Sequence, residues 1–102
     1  MVAPPASSTV AAISSHVMRG TVGLRAITFP LMRRGHTVWA VPTVTMPWHP
    51  GFGPSTRARS EQLPAQLSEL GANGAALDGV LTGYFADEAQ VRAAASFIDS
   101  VR

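Results

Sequence analysis

Three short apolar runs alternate along this chain with segments of helical spacing, and this order constrains the fold more than any other feature. The runs are VAAIS (residues 10–14), TVWAVPTV (37–44) and a third strand within LDGVLTGYF (77–85). Strands joined through helices by short connections favour a parallel sheet with right-handed crossovers. The order β-α-β-α-β-α therefore predicts an α/β fold. Since three parallel strands are few for a sheet covered on both faces, we expect a piece of a larger α/β protein.

Prolines and glycines mark the predicted ends and bends of these elements. Pro30 predicts an early-turn position or a kink in the first helix, and Gly35 predicts its end. Pro42 predicts that the second strand ends or bends. Residues 45–56 contain three prolines and two glycines, which predicts an irregular loop.

The second and third helices have recognisable starts and apolar faces. Ser60 predicts the N-cap of the second helix, whose apolar positions are Leu63, Leu67 and Leu70. Asp87, with Gln90 three residues later, resembles a capping box at the start of the third helix. One apolar face is predicted for that helix, formed by Val91, Ala94, Ala95, Ile98 and Val101.

The composition excludes several classes of protein. The 102 residues suffice for one small domain, and a hydrophobic fraction of 46% against 14% charged residues argues against disorder. The net charge is +2 and the arginines are scattered apart from Arg33 and Arg34, so we predict no nucleic-acid partner. Cysteine is absent and the histidines lack ligand spacing (His16, His36, His49), so no metal site is predicted.

The chain also lacks targeting signals. No apolar run approaches the roughly 18 residues of a membrane span, so no membrane partner is predicted. Residues 1–9 lack the basic start and the apolar stretch of a signal peptide. We predict that they form a flexible tail before a single domain of residues 10–102, in a cytoplasmic protein.

Gly20 and Gly23, between the first strand and the first helix, leave two interpretations open. They do not form G-x-G-x-x-G, and a P-loop is excluded because the chain has no lysine. Glycine there lets a ligand approach the backbone, and a helix N-terminus favours an anion. A structural turn that needs positive φ is the favoured explanation.

Polar and aromatic residues near the predicted strand ends are the candidate ligand contacts. Ser15 and Tyr84 follow the first and third strands, on the side of the sheet where open α/β folds bind ligands. A turn or cap role for Ser15, and an edge-of-core role for Tyr84, remain alternatives. Trp48 and Phe52 either cover a pocket or pack the loop on the sheet, and packing is favoured. No residue is identified as a general base.

Four segments together resemble pyridoxal kinase, of the ribokinase-like superfamily. They are SSHVMRGTVGLRAITFPL (14–31), VWAVPTV (38–44), HPGFG (49–53) and DGVLTGY (78–84). The resemblance implies a three-layer ribokinase-like sandwich with a mostly parallel central sheet. It also implies transfer of the ATP γ-phosphate to the 5′-hydroxyl of pyridoxal, with Mg²⁺, in a cytoplasmic homodimer. Residues 10–102 would then be the N-terminal part of the kinase domain.

The resemblance also implies which residues contact the vitamin. Ser15 occupies the position of a serine that holds the pyridine ring, and Tyr84 that of a tyrosine near the substrate. Met46 replaces an aromatic wall residue, and Pro50 replaces a threonine. The full implied set is Ser15, Val44, Met46, His49, Pro50, Gly51 and Tyr84.

The family's catalytic segment has no counterpart in these 102 residues. The Asp-Pro-Val stretch and the Gly-Thr-Gly-Asp anion hole, with its catalytic aspartate, are missing. We therefore expect no catalytic residue in this chain, and inactivity of the chain alone. Two alternatives remain open: a kinase for a related heterocycle such as hydroxymethylpyrimidine, and a non-catalytic binding module derived from the kinase.

Overall fold

The part of the chain that the structure describes contains a four-stranded sheet, three α-helices and one short 3₁₀ helix. The computed structural model describes residues 8–73 and 77–102. The elements in chain order are β1 (Thr9–Val17), α1 (Leu24–Arg33), β2 (Thr37–Met46), a 3₁₀ helix (Pro50–Phe52), β3 (Ala58–Arg59), α2 (Leu63–Gly71), β4 (Gly79–Thr82) and α3 (Glu88–Val101).

The sheet order is β3-β2-β1-β4, with β1 in the centre. β1 is parallel to both β2 and β4, whereas the two-residue β3 is antiparallel to β2. The predicted α/β class and mostly parallel sheet are confirmed. β3 was not predicted, since it lies next to the proline-rich loop and is too short to show a pattern.

The first strand is longer than predicted at both ends. β1 begins at Thr9, one residue before the predicted domain, and most of the predicted tail (residues 1–7) lies outside the described residues. At the other end β1 continues past Ser14 to Val17, because His16 and Val17 still pair with β2. Ser15 therefore lies within the strand and not after it.

The second strand does not end at Pro42. The pairs Ser14–Pro42 and His16–Thr45 place two residue steps of β1 against three of β2, so the register shifts there. Proline has no N–H to donate to a neighbouring strand, which explains an irregularity at this point. The prediction that β2 ends at Pro42 is therefore wrong, and the strand continues with a register shift next to this proline.

Helices cover both faces of the sheet. The connection from β1 through α1 leads to β2 on one side of β1, and the connection through α2 leads back to β4 on its other side. Right-handed crossovers in opposite directions place α1 and α2 on opposite faces. α2 and α3 pack together over the main core, which consists of Ala11, Ile13, Val41, Leu63, Leu67, Ala94 and Phe97.

The start of α2 differs from the prediction. Gln62, not Ser60, precedes the first helical residue, and its side chain makes no capping hydrogen bond. Ser60 instead accepts a bond at its carbonyl oxygen from the N–H of Leu63. The predicted apolar face is confirmed, since Leu63 and Leu67 are buried and Leu70 packs against the core.

The cap of α3 is confirmed, and its predicted apolar face is confirmed at Ala94, Ile98 and Val101, which lie in or against the core. The Asp87 carboxylate accepts a hydrogen bond from Gln90 N at 3.0 Å. Val91 and Ala95 are exposed, whereas Gln90, Ala94 and Phe97 are buried. The prediction is wrong at Val91 and Ala95, and it missed Gln90 because a buried glutamine does not count as apolar. No helix in the described ranges is long and apolar enough to cross a membrane.

Candidate functional site

A cleft of about 350 Å³ lies at the carboxyl ends of β1 and its neighbours. The chain leaves β1 toward one face of the sheet and leaves β4 toward the other, which opens a crevice between these adjacent strands. The volume falls in the range of small-molecule sites, roughly 300–1,000 Å³. Its lining is formed by Ser14, Ser15, Val17, Val22, Gly23, Met46, His49, Pro50, Arg57 and Tyr84.

The connection between β1 and α1 folds back on Ser15. Gly23 has φ of +59° and forms an isolated bridge with His16. A Cβ on Gly23 would lie 2.6 Å from Ser15 Oγ and even closer to the Ser15 carbonyl oxygen. Both the positive φ and the close approach require glycine here. Its geometry is therefore explained by the structural turn, without a phosphate.

The two adjacent serines have different roles. Ser14 Oγ accepts a hydrogen bond from Tyr84 N at 3.1 Å, so it holds the chain that follows β4. Ser15 is 8% exposed and lines the cleft. Within the described part of the chain no protein group hydrogen-bonds to Ser15 Oγ, and this atom is not among the buried unsatisfied ones. Its hydroxyl is available to a ligand as donor and acceptor.

Tyr84 is held at both backbone groups. Besides the bond to Ser14, its carbonyl oxygen accepts a hydrogen bond from Thr43 Oγ1 at 2.8 Å. A Cβ on Gly83 would lie 3.0 Å from Ser14 Cβ, so glycine is needed to bring the two strands this close. These contacts fix the position at which the Tyr84 side chain enters the cleft.

Gln90 braces the same region from α3. This fully buried side chain donates from Nε2 to Thr43 O at 2.9 Å and accepts at Oε1 from Ala86 N at 2.8 Å. It therefore connects α3, β2 and the segment after β4. A buried amide with both ends paired stabilises this arrangement, because an unpaired one would be costly.

Arg59 and Asp87 form an ion pair beside this brace. Arg59 Nε lies 2.5 Å from Asp87 Oδ2, and Arg59 also contacts Glu61 at 3.0 Å. The hydrogen bond from Arg59, followed by the one from Gln90 N, lowers the pKa of the Asp87 carboxyl. The same bond to Asp87 raises the pKa of Arg59. Both charges are thus compensated outside the cleft.

The loop after β2 closes one side of the cleft. His49 Nδ1 accepts a hydrogen bond from Gly51 N at 2.9 Å and caps the short 3₁₀ helix. Because Nδ1 is the acceptor, the neutral ring has its proton on Nε2 and offers that N–H as a donor. Trp48 packs the loop through a bond to Gly53 O at 3.3 Å. Phe52 is 72% exposed and neither covers the cleft nor packs on the sheet.

The structure brings together most of the residues that the resemblance implies. Five line the cleft: Ser15, Met46, His49, Pro50 and Tyr84. Val44 does not, since it is fully buried in a cluster with Val17 and Met46. Gly51 is exposed beside His49 and lies outside the lining.

Four lining residues were not predicted: Ser14, Val17, Val22 and Arg57. For Gly23, approach of a ligand was the less favoured of the two interpretations. The extension of β1 to Val17 and the folding back of the next turn bring Val17, Val22 and Gly23 to the cleft. Arg57 gives no sequence signal, because it reaches the cleft through a loop whose path depends on tertiary contacts.

The cleft contains a cation and no carboxylate. Arg57 is its charged side chain, and none of the lining residues is Asp or Glu. In residues 8–73 and 77–102, no group of three or more His, Cys, Asp or Glu side chains could hold a metal ion. A larger cleft of about 590 Å³ between α2 and α3 offers only serine hydroxyls as polar side chains, so it is a weaker candidate.

The fold and the cleft define a ribokinase-like α/β protein. A pyridoxal kinase from Leishmania donovani, in complex with ADP and pyridoxamine, superposes with a TM-score of 0.85 at 35% identity, over 92% of this chain and 34% of that one. A putative phosphomethylpyrimidine kinase from Bacteroides thetaiotaomicron, in a crystal form with pyridoxal, has a TM-score of 0.86 over 95% of this chain and 34% of that one. At 21% identity it shows the fold alone.

Sequence comparison points to the same group. The chain is 35% identical to a pyridoxal kinase of Burkholderia thailandensis over an alignment of 98 positions, which covers 91% of this chain and 34% of that protein. It is 36% identical to a pyridoxal kinase of Deinococcus radiodurans over an alignment of 107 positions, which covers 99% of this chain and 35% of that protein. No family model matches. The chain is a homologue of the N-terminal portion of pyridoxal kinases and spans about a third of their length.

Proposed function

We propose that the intact protein is a pyridoxal kinase, which transfers the γ-phosphate of ATP to the 5′-hydroxyl of pyridoxal. This chain forms the vitamin-binding side of the active site. The observation that carries the proposal is the cleft itself, where five residues implied by the resemblance converge. The homologues that are named pyridoxal kinases support the same activity.

In this proposal the cleft binds and orients the ring. Ser15 Oγ hydrogen-bonds a polar ring substituent, Met46 provides an apolar wall, and the fixed ring of Tyr84 limits the opposite side. His49 offers its Nε2–H as a further donor. These groups position the 5′-hydroxyl, and none of them is placed as its general base.

ATP and Mg²⁺ enter the proposal as co-substrate and metal of the intact enzyme. A homologous structure contains ADP. The described residues contain no group of three or more His, Cys, Asp or Glu side chains for a metal, so we place Mg²⁺ with the part of the intact enzyme that binds ATP. We propose that residues 10–102 are the N-terminal part of the kinase domain, in a cytoplasmic homodimer.

Calorimetric titration of the chain with pyridoxal tests the proposal. We expect saturable binding, and Ser15→Ala should weaken it about five- to tenfold through the lost hydrogen bond. Ser96→Ala removes an exposed hydroxyl of α3 and is the matched control. Absence of pyridoxal binding by the unaltered chain, or equal effects of the two variants, would contradict the proposal.

Catalysis is tested separately. Incubation of the chain with ATP, Mg²⁺ and pyridoxal should give no pyridoxal 5′-phosphate by absorbance, because the cleft contains no carboxylate to act as base. Steady turnover would show that the catalytic group is present in this chain.

A related hydroxymethyl heterocycle is the second candidate substrate. Met46 and Pro50, which differ from the residues usual in pyridoxal kinases, both line the cleft. Tighter binding of hydroxymethylpyrimidine than of pyridoxal would favour this alternative. Stable folding and ligand binding of the natural protein, without phosphate transfer under any condition, would favour a non-catalytic module.

A further inference from the structure

Arg57 stands at the rim of the cleft in direct contact with Tyr84. It donates a hydrogen bond from Nη1 to the Tyr84 hydroxyl. Its guanidinium carbon lies 5.7 Å from the centroid of the Tyr84 ring. Because the Tyr84 backbone is itself fixed by Ser14 and Thr43, the guanidinium is held at the cleft by an anchored partner.

No carboxylate neutralises Arg57. All six acidic residues of the chain lie in the described ranges, so their partners are known. None of these residues lines the cleft, and the four salt bridges that they form involve Arg59, Arg92 and Arg102. Asp78 accepts a hydrogen bond from Thr9 N at the opposite end of β1.

A guanidinium has five N–H donors in a planar fork, of which Tyr84 uses one. The remaining donors and the uncompensated charge suit an anionic oxygen. We infer that Arg57 recognises an oxyanion substituent of the ring ligand, and that it thereby favours anionic ligands over neutral ones such as hydroxymethylpyrimidine. This inference rests on the proposed function, since it concerns the ligand of the same cleft.

The oxyanion has two possible sources with the same chemistry. One is the ionised hydroxyl on the pyridine ring, and the other is the phosphoryl group of the 5′-phosphorylated product. Pyridoxine carries the first, pyridoxine 5′-phosphate carries both, and hydroxymethylpyrimidine carries neither.

Titration of the chain with these three compounds, before and after Arg57→Gln, tests the inference. If the ring oxygen is recognised, both pyridoxine compounds should bind about five- to tenfold more weakly to the variant, with hydroxymethylpyrimidine unchanged. If the phosphoryl group is recognised, only pyridoxine 5′-phosphate should lose affinity. Arg57→Lys keeps the charge but not the fork, and should recover part of the loss.

Arg34→Gln makes the same charge change at the far end of α1 and is the matched control. Equal weakening of all three ligands, no weakening of any, or the same change in Arg34→Gln would overturn the inference. Failure of the unaltered chain to bind any of the compounds would instead contradict the proposed function, and the inference with it. Thermal unfolding of each variant checks that the substitution has not disrupted the fold.

Discussion

Gly23 shows how one residue without a side chain shapes the cleft. With φ of +59°, a residue with a side chain would have a strained backbone at this position, and its Cβ would collide with Ser15 of the first strand. The neighbouring Gly20 also has positive φ, but a Cβ there would meet nothing within 4 Å. The two glycines that look equivalent in the sequence therefore differ in structural importance.

We expect Gly23→Ala to lower the free energy of unfolding by about 1–3 kcal/mol, because strain and collision add. Pyridoxal binding should weaken at the same time, since Ser15 must shift. Gly79→Ala is the control, because a Cβ on this glycine would have no neighbour within 4 Å and its φ is not positive. Denaturant unfolding measures both variants, and an equal loss in the two would contradict this explanation.

Gln90 is the clearest case of a polar residue in the core. Replacement by leucine leaves Ala86 N unpaired, whereas Thr43 O keeps its bond from Ser60 N. We expect Gln90→Leu to destabilise the fold by about 1–3 kcal/mol. Gln66→Leu, on the exposed side of α2, should change stability by no more than about 0.5 kcal/mol. Urea denaturation measures the stability of both variants. If Gln90→Leu left the stability unchanged, the Gln90 side chain would not stabilise this region as described.

The start of α3 is an element whose stability depends on pH. Arg59 and Gln90 N favour the ionised Asp87, so its pKa is lower in the folded chain than in the unfolded chain. The unfolded chain therefore takes up the proton more readily. The contribution of Asp87 is present near neutral pH and is lost as the pH falls below about 4 toward the folded pKa.

Asp87→Asn should keep the N-cap but remove this pH dependence. We expect the variant to be less stable than the unaltered chain at pH 7, with a difference that shrinks below pH 4. Asp99→Asn removes a looser pair, 3.9 Å from Arg102, and should have a smaller effect. Thermal unfolding between pH 2.5 and 7 measures the difference, and a difference that stays constant with pH would disprove the assignment.

At the scale of the whole molecule, the described sheet ends at β4 with an uncovered apolar side chain. Leu81 pairs with Ala12 of β1, but it is 45% exposed whereas Ala12 is fully buried. Phe29 and Met32 of α1 are exposed as well. An edge strand with an exposed apolar residue favours association with other chains.

We expect the chain alone to self-associate at high concentration, and Leu81→Lys to reduce this without lowering stability. Val91→Lys removes a similarly exposed residue on α3, away from the sheet edge, and should have less effect. Light scattering over a range of concentrations measures the association. A monodisperse monomer for the unaltered chain would contradict the prediction.

Much of the fold was predictable because it depends on local pattern. Alternation of apolar runs and helices determined the parallel sheet, and the Asp87 cap follows from residues three apart. The extent of β1, the continuation of β2 past Pro42 and the buried Gln90 were not predictable, because pairing partners distant in sequence determine each of them. In the cleft, Ser15 and Tyr84 could be predicted from their places near the carboxyl ends of strands, although Ser15 lies within β1 and not after it. Arg57 could not be predicted in this way.

The amino-acid sequence by itself determined the order of the elements and the strands whose ends carry the candidate contacts. These properties depend on spacing and on side-chain chemistry within a few residues. Only the tertiary structure decided that the Ser14 hydroxyl holds the segment after β4, whereas the Ser15 hydroxyl is available to a ligand in the cleft. It also decided that Arg57 lines the same cleft without a carboxylate partner. Those outcomes depend on which groups from distant segments meet, and hydrogen bonding over some 70 residues, as between Ser14 and Tyr84, leaves no local trace.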